Sequence, residues 1–437
     1  MGNLRLGRLE GDRIIMADIL RDLQYRKFRA YGFLKNLRLF DPFLILFLRD
    51  AGLTYLAIGT LITVRETATN VLEVPTGVLA DVFGRRKAML FGFTAYLLSF
   101  LLFLVGTTCW MFAGAMIAFA VGETFRSGTH KAMILEHLRR TRQEDLKVRY
   151  YGKTRAASQF GSAIASILAA VLVFWTASYR VVFLGTLVPY VLDFALLASY
   201  PRALDGEHVA MSSDGWQLIG LRFRQAFADL ASLFRERATL RGLMSGASFD
   251  ALFKVTKDYL QPVVQVQALT LPLLLRWSDN QRTAVLIGGV YFLVYTATSL
   301  ASSASGRIHA RLRSPARAVN LTLALGPAIL LLAGVALLFG SAGAAIFGFL
   351  LVFVLQNVRR PMVVGFLADI MPSHIMATGL SVEVQLRTLL MAGMAPLLGW
   401  AADRAGVGIA LAAISAAMLV LSSAIRVSDS PSQFRMS

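Results

Sequence analysis

The sequence predicts an all-α membrane protein, with 12 transmembrane helices in two pseudo-symmetric six-helix bundles around a central cavity. Three observations carry that expectation. Long apolar runs recur along the whole chain, Lys and Arg gather in alternate connections between them, and intramembrane charge returns with every third run.

The apolar runs set the class. Of 437 residues, 56% are hydrophobic, and the mean hydropathy is +0.60. A soluble chain of this length has too little core to hide so much apolar surface, so the excess faces lipid. The runs are about 18–25 residues long, enough for a helix to cross about 30 Å of hydrocarbon. In lipid every backbone polar group must be satisfied internally, which leaves helices or closed barrels. Continuous apolarity excludes the alternation of barrel strands. Spans are read at 31–49, 53–80, 88–107, 109–137, 152–176, 180–200, 241–266, 282–304, 317–339, 342–368, 377–400 and 406–425.

A net charge of +18 and a pI near 10.5 would suit nucleic acid, but the charges sit in the wrong places for it. One set of connections holds Arg5 to Arg29, Arg85 to Lys87, Arg139 to Arg155, Arg202 to Arg241, Arg307 to Arg317 and the tail. The other holds only Arg49, Arg180, Arg276, Arg282 and Arg404. Roughly thirty against five is the positive-inside asymmetry, and it predicts both termini in the cytoplasm. The basic balance is therefore a topology signal. The expected location is a cell membrane of the bacterial inner type, with the bilayer and a small solute as partners, no nucleic acid, and a monomeric chain.

The interruption at 201–240 carries Asp205, Gly206, Asp214, Gly215 and many Arg, and reads as a cytoplasmic linker with an amphipathic stretch. The chain then divides into an N-terminal segment (1–30), a first bundle (31–200), the linker (201–240), a second bundle (241–425) and a tail (426–437). In the N-terminal segment Ile14, Ile15, Ile19 and Leu23 give one apolar face. That suits either an amphipathic helix on the inner membrane surface or a solvated tail. Cys109 is the single cysteine, so no internal disulfide or thiolate metal site is expected.

Span 1 carries Lys35, Arg38 and Asp41; span 4 carries Glu123, Arg126, His130 and Lys131. Span 7 carries Asp250, Lys254, Lys257 and Asp258, and span 10 carries Arg359 and Arg360. Spans 2 and 11 are intermediate, with Arg65, Glu66 and Glu73, and with Glu383 and Arg387. A charge at mid-bilayer costs at least about 2.5–3.5 kcal/mol, so more than ten of them line a wet interior rather than face lipid. Their recurrence in both halves implies three-helix repeats whose first helices share a centre.

After span 2 the chain reads Gly77-Val-Leu-Ala-Asp81-Val-Phe-Gly84-Arg85-Arg86-Lys87. This resembles the signature loop of the major facilitator superfamily, with Val82 where a basic residue is usual. Gly306-Arg307-Ile-His-Ala-Arg311 resembles a degenerate copy, and Gly399 to Gly406 and Glu123 to His130 add weaker likeness. The resemblance covers essentially the whole chain. It implies the fold of that family, alternating access, and a gating role for Gly77, Asp81, Gly84, Arg85 and Arg86, which latch the halves on the cytoplasmic side. Gly77 would allow close helix approach and Gly84 a tight turn.

Within the four charged helices, bases outnumber acids, so the cavity is expected to carry positive potential. Lys35, Arg38, Arg126, His130, Lys254, Lys257, Arg359 and Arg360 are the candidate substrate-binding residues for an anionic or zwitterionic solute, since Arg offers a bidentate fork to carboxylate or phosphate. Spacing at i, i+4, i+8 places Asp250 and Asp258 on either side of Lys254. Pro361 is expected to bend span 10 and aim one guanidinium inward. Many of these charges are equally suited to be internal ion pairs. Asp41, Glu66, Glu123 and Asp258 are candidate proton carriers if transport is proton-coupled, and exchange of anions would need none. No cofactor or metal is expected, and no Gly-rich phosphate-binding loop drives transport directly by ATP.

A multidrug or lysophospholipid exporter on the same scaffold is the alternative. A non-transporting sensor would need a soluble output domain larger than the linker or tail. An enzyme is disfavoured because His130, His137, His208, His309 and His374 make no metal-like cluster.

Overall fold

The computed structural model describes residues 22–205, 221, 224, 237–272, 275–311, 314–371 and 376–428. Span 1 is broken, with helix Leu23–Lys35, a 3-10 turn Asp41–Phe43 and helix Leu44–Asp50. Span 2 is Tyr55–Phe83 and span 3 Arg85–Val105. Span 4 is Cys109–Arg126 followed by Thr129–Arg140, span 5 Lys147–Thr176 and span 6 Val181–Ala198. Span 7 joins Arg237–Thr256 to Leu260–Thr270 through the 3-10 turn Lys257–Tyr259. Spans 8, 9 and 10 are Asp279–Arg311, Pro315–Leu338 and Ala342–Ile370. Spans 11 and 12 lie within Met376–Ala424, parted at Gly406, where φ is 85° and only glycine is at ease.

Seven helical stretches of the described residues are long and apolar enough to cross a membrane: Arg85–Val105, Ala157–Thr176, Val181–Ala198, Asp279–Ala301, Pro315–Leu338, Ala342–Ile370 and Gly379–Ala424. The last runs through spans 11 and 12. Spans 1, 2, 4 and 7 fall outside this set; they carry most of the intramembrane charge or are broken. They supply most of the polar interior, and the apolar helices build the wall around it.

The start of span 1 departs from the expected boundary. Residues 23–30 are helix, and Tyr25 and Phe28 are fully buried against Tyr150, His130, His137 and Tyr200. That part of the 1–30 segment packs into the first bundle, since two aromatic side chains gain more from burial than from a membrane surface. Asp22 caps the helix by accepting from the Gln24 N–H at 2.8 Å, and also accepts from the Tyr150 hydroxyl at 2.5 Å and lies 2.7 Å from His137 Nε2. Partial burial pushes its carboxyl pKa up, but the Tyr150, His137 and Gln24 contacts outweigh it and hold the group below the usual carboxylate range. The expectations for residues 1–21, for 206–236 apart from two positions, and for 429–437 lie outside the described residues.

The halves meet through span 2 against span 11 and span 5 against span 8. At the Tyr55 end they touch backbone to backbone. A Cβ on Gly399 would meet the Tyr55 carbonyl oxygen at 2.2 Å, and one on Gly59 would meet that of Ala395 at 2.3 Å. The Tyr55 and Leu56 N–H groups both donate to the Asp403 carboxylate at 2.8 Å, so span 11 caps span 2. Gln261 accepts from the Ile45 N–H (2.7 Å) and donates to the Asp41 carbonyl (2.9 Å); Asn280 and Gln281 donate to the carbonyls of Ala177 and Phe174. The opposite, Gly84 end has no comparable seam among the described residues. Its deepest cross-half bond is Asn70 to Thr388, at 3.1 Å. Among the described residues the halves are therefore sealed to each other at the Tyr55 end and not at the Gly84 end.

Candidate functional site

A chamber of about 380 Å³ lies between the halves. Spans 1, 2, 4, 7 and 11 line it with Arg38, Asp41, Arg65, Glu66, Glu73, Glu123, Lys254, Lys257 and Arg387, and Phe119 is the one aromatic among its described lining residues. Five cations therefore face four carboxylates. The size suits a small solute.

Two carboxylates organise the cations. Glu123 lies against both Arg126 and Arg38 (3.0 Å to Arg38 Nη2) and accepts from the Tyr96 hydroxyl at 2.5 Å. Arg38 also donates to Tyr190 at 3.2 Å and stacks over Phe119. Glu66 bridges the halves: Lys254 Nζ lies at 2.7 Å and Arg65 Nη2 at 3.2 Å. Each carboxylate holds two cations, so each cluster keeps one net positive charge. Lys257 pairs with Asp258 at 2.5 Å. Among the described residues Asp41, Glu73 and Arg387 have no ion pair; Glu73 accepts only from the Ser127 hydroxyl, at 3.5 Å, and the Arg387 Nε is buried without an acceptor.

Span 7 does not place its charges as the i, i+4, i+8 spacing suggested. The 3-10 turn Lys257–Tyr259 rotates Asp258 away from Lys254, and Asp250 is taken by Gln356 (2.9 Å) and Arg360 (3.2 Å). Lys254 is left to reach across to Glu66.

Span 10 also departs from expectation. Arg359 is 1% exposed and lies inside the second bundle. It donates to the Val319 carbonyl and Thr322 hydroxyl (2.5 Å each) and to the Ser245 carbonyl and hydroxyl (2.9 and 2.8 Å), with its guanidinium over Phe249. Arg360 is committed to Asp250 and Glu383. Neither lines the chamber. Pro361 lies inside a helix that runs continuously to Ile370, so it does not turn a guanidinium to the centre.

Lys35, Arg126 and His130 line a second pocket, of about 570 Å³, together with Lys131 and Arg155. His130 stacks on Tyr31 at 3.8 Å and lies 3.4 Å from the Tyr200 hydroxyl, away from the central chamber. A third, apolar groove of about 530 Å³ between spans 5 and 8 has no charged lining residue and nothing with which to orient a polar cargo.

In the candidate gate, Gly84 has φ 95° and turns span 2 into span 3, a conformation that favours glycine. The Arg86 N–H donates to Asp205 at 2.7 Å. Among the described residues a Cβ on Gly77 would meet no atom within 4 Å, so the close approach expected there is not made. The side chain of Asp81 lies outside the described residues.

Arg65, Glu73 and Arg387 are chamber residues that were not singled out as binders. Their signal was charge inside an apolar run, diluted because spans 2 and 11 hold fewer charges than their neighbours. Asp193 on span 6 was likewise passed over. It is fully buried, and among the described residues neither carboxylate oxygen has a hydrogen-bond partner.

The family model of the Major Facilitator Superfamily matches residues 36–384. No curated protein sequence matches the chain. Among solved structures, a mutant of the nucleoside transporter NupG is similar, with a TM-score of 0.74 at 12% identity, covering 92% of this chain and 99% of its own. The peptide transporter POT in complex with sulfate gives 0.69 at 11% identity, over 92% and 93%. A D-xylose-proton symporter gives 0.66 at 14% identity, over 93% and 97%. At these identities the likeness is one of fold.

Proposed function

Because the chain belongs to the major facilitator superfamily, we propose that it is a secondary transporter carrying a small anionic or zwitterionic solute by alternating access. The observation that carries the cargo's sign is the central chamber. Glu123 and Glu66 are each already shared by two cations, and Arg387 faces the space with no carboxylate of its own. A carboxylate or phosphate entering there completes these guanidinium groups without displacing an existing pair. Asp41, also without an ion pair, is placed to receive an ammonium group, which favours a zwitterion. The chamber's single aromatic argues against an apolar drug as cargo.

The positive-inside distribution supports a cytoplasmic position for the Gly84 end and both termini. The Tyr55 end, where the halves meet backbone to backbone, is then external, which fits an inward-facing arrangement. Rocking of the halves would open the Gly399–Tyr55 seam while bringing Gly77 and its loop against the other half. Of the candidate proton carriers, Glu66, Glu123 and Asp258 are held by cations, and Asp41 is the one free to exchange a proton with the chamber.

A thermal-shift screen of carboxylated, phosphorylated and zwitterionic solutes on the purified protein tests this reading. Arg387→Gln should raise the half-saturating concentration of a stabilising solute about tenfold, the weight of one charge-assisted hydrogen bond. Stabilisation by apolar cations alone would transfer the case to a multidrug exporter. Uptake into proteoliposomes under an imposed pH gradient tests coupling, which Asp41→Asn should abolish; uptake indifferent to the gradient rules coupling out.

A further inference from the structure

Outside the central chamber, a strongly basic pocket lies between spans 1, 4 and 5. We propose that this pocket is a second binding site, for a phosphate group, built at the break in span 4. Lys35, Arg126, His130, Lys131 and Arg155 converge on it, and none of its described lining residues is acidic. The pocket adjoins the central chamber, and Ser127 lines both.

The break itself contributes. Gly128 takes φ 79°, ψ −45°, and has no side chain to cap the 12-residue helix that begins at Thr129. The N-terminal end of that helix, positive by its dipole, therefore opens on the pocket rather than on a capping carboxylate or hydroxyl. Tyr31 forms one wall; its ring holds His130, and its buried hydroxyl has no partner. Ser127 and Thr154 add hydroxyl-bearing side chains at the rim and wall.

Among the described residues the nearby carboxylates leave Lys35 and Arg155 without an ion pair. Glu123 acts on Lys35 but is shared between Arg126 and Arg38. Asp193, buried on span 6, also acts on Lys35 but forms no ion pair with it. Arg155 is exposed at the mouth. Several cations and a helix N-terminus around one space call for more negative charge than a single carboxylate brings. A phosphate, with several acceptor oxygens, meets that need. A lipid headgroup and a soluble phosphorylated solute present the same chemistry.

The test follows thermal unfolding of the purified full-length protein in two arms. One titrates inorganic phosphate at an ionic strength held constant with chloride, so that general screening does not change. The other compares phosphatidylcholine nanodiscs with and without phosphatidylglycerol. The expected result is stabilisation in at least one arm, with the half-saturating concentration or lipid fraction raised about tenfold by Arg155→Gln or Lys35→Gln and unchanged by Arg387→Gln. A response to inorganic phosphate identifies a soluble phosphate, and one confined to phosphatidylglycerol identifies a lipid. Arg155 is exposed, so its substitution keeps the test independent of folding. No stabilisation in either arm, or an undiminished response in Arg155→Gln, overturns the proposal. Loss of the response in Arg387→Gln alone also overturns it, and moves the phosphate to the central chamber. An anionic-solute response that survives Arg387→Gln counts instead against the central-chamber reading.

Discussion

Spans 4 and 10 occupy corresponding places in the two halves, and each carries basic residues near its middle. Their fates differ. On span 4, Glu123 and Arg126 lie three residues apart on one stripe and meet Arg38 from span 1 at the edge of the chamber. On span 10, Arg359 turns away into its own bundle, where four oxygens of spans 7 and 9 satisfy it and no carboxylate pairs with it. Charge returning with every third helix therefore marks polar interiors in both halves, but in the second half only span 7 presents it to the cavity. Span 11 supplies the further chamber cation Arg387, where span 10 supplies none.

The comparison predicts the largest effect at Arg359. Arg359→Ala leaves a cavity and strips donors from Ser245 and Thr322, at a cost of about 3–5 kcal/mol. Thermal unfolding in detergent should show it as a severe loss of stability. An Arg359→Ala protein that unfolds like the wild type but no longer binds solute would return Arg359 to the binding site and erase the contrast.

Glu123→Gln removes the carboxylate that both span 1 and span 4 cations share, at an expected cost of about 2–3 kcal/mol. Transport should fall at least as much as stability, because Arg38 and Arg126 are then free to reorient. Unaltered transport would mean that the span 4 cluster is as structural as Arg359.

Gly399→Ala probes the seam on which the two halves pivot. The added methyl meets the Tyr55 carbonyl, an overpacking strain of about 1–3 kcal/mol borne only by the closed Tyr55 end. The population should shift toward the state open at that end, read as faster labelling of cysteines introduced along the seam. Unchanged labelling would show that the seam yields locally instead of moving the halves.

The smallest effect is at Asp22, which ties the start of span 1 to His137 on the second helix of span 4. Its carboxyl pKa is depressed in the folded protein, so its contribution is fully present above the unfolded value of 3.8 and fades as pH falls through the lower folded value. Asn still caps the helix, so Asp22→Asn should lower stability at neutral pH by about 1 kcal/mol through loss of the charge-assisted contacts with Tyr150 and His137, and flatten the acid limb of the stability profile. An acid limb identical in both proteins would remove Asp22 as its source.

Hydrophobic run length, loop charge and the Gly77 to Lys87 loop made the fold legible, because each is a local property of the chain. The partners of the intramembrane charges were not legible. Lys254 has Asp250 and Asp258 at helical spacing, yet a single 3-10 turn at Lys257–Tyr259 breaks that register and sends Lys254 to Glu66, 188 residues away. Arg387 was visible as a charge in an apolar run, but nothing around it in sequence tells that it lacks a partner.

By itself, the sequence determined that this chain crosses a membrane, how often, and which helices are too polar to face lipid, since lipid accepts no unpaired charge and each span must meet that demand alone. Only the tertiary structure decided which cations stay available: Arg387 in the chamber, Lys35 and Arg155 in the basic pocket, and not Arg359. Helix-to-helix pairing neutralises a charge only when two side chains converge in space, and convergence depends on breaks, rotations and the tilt of whole bundles rather than on spacing along one helix.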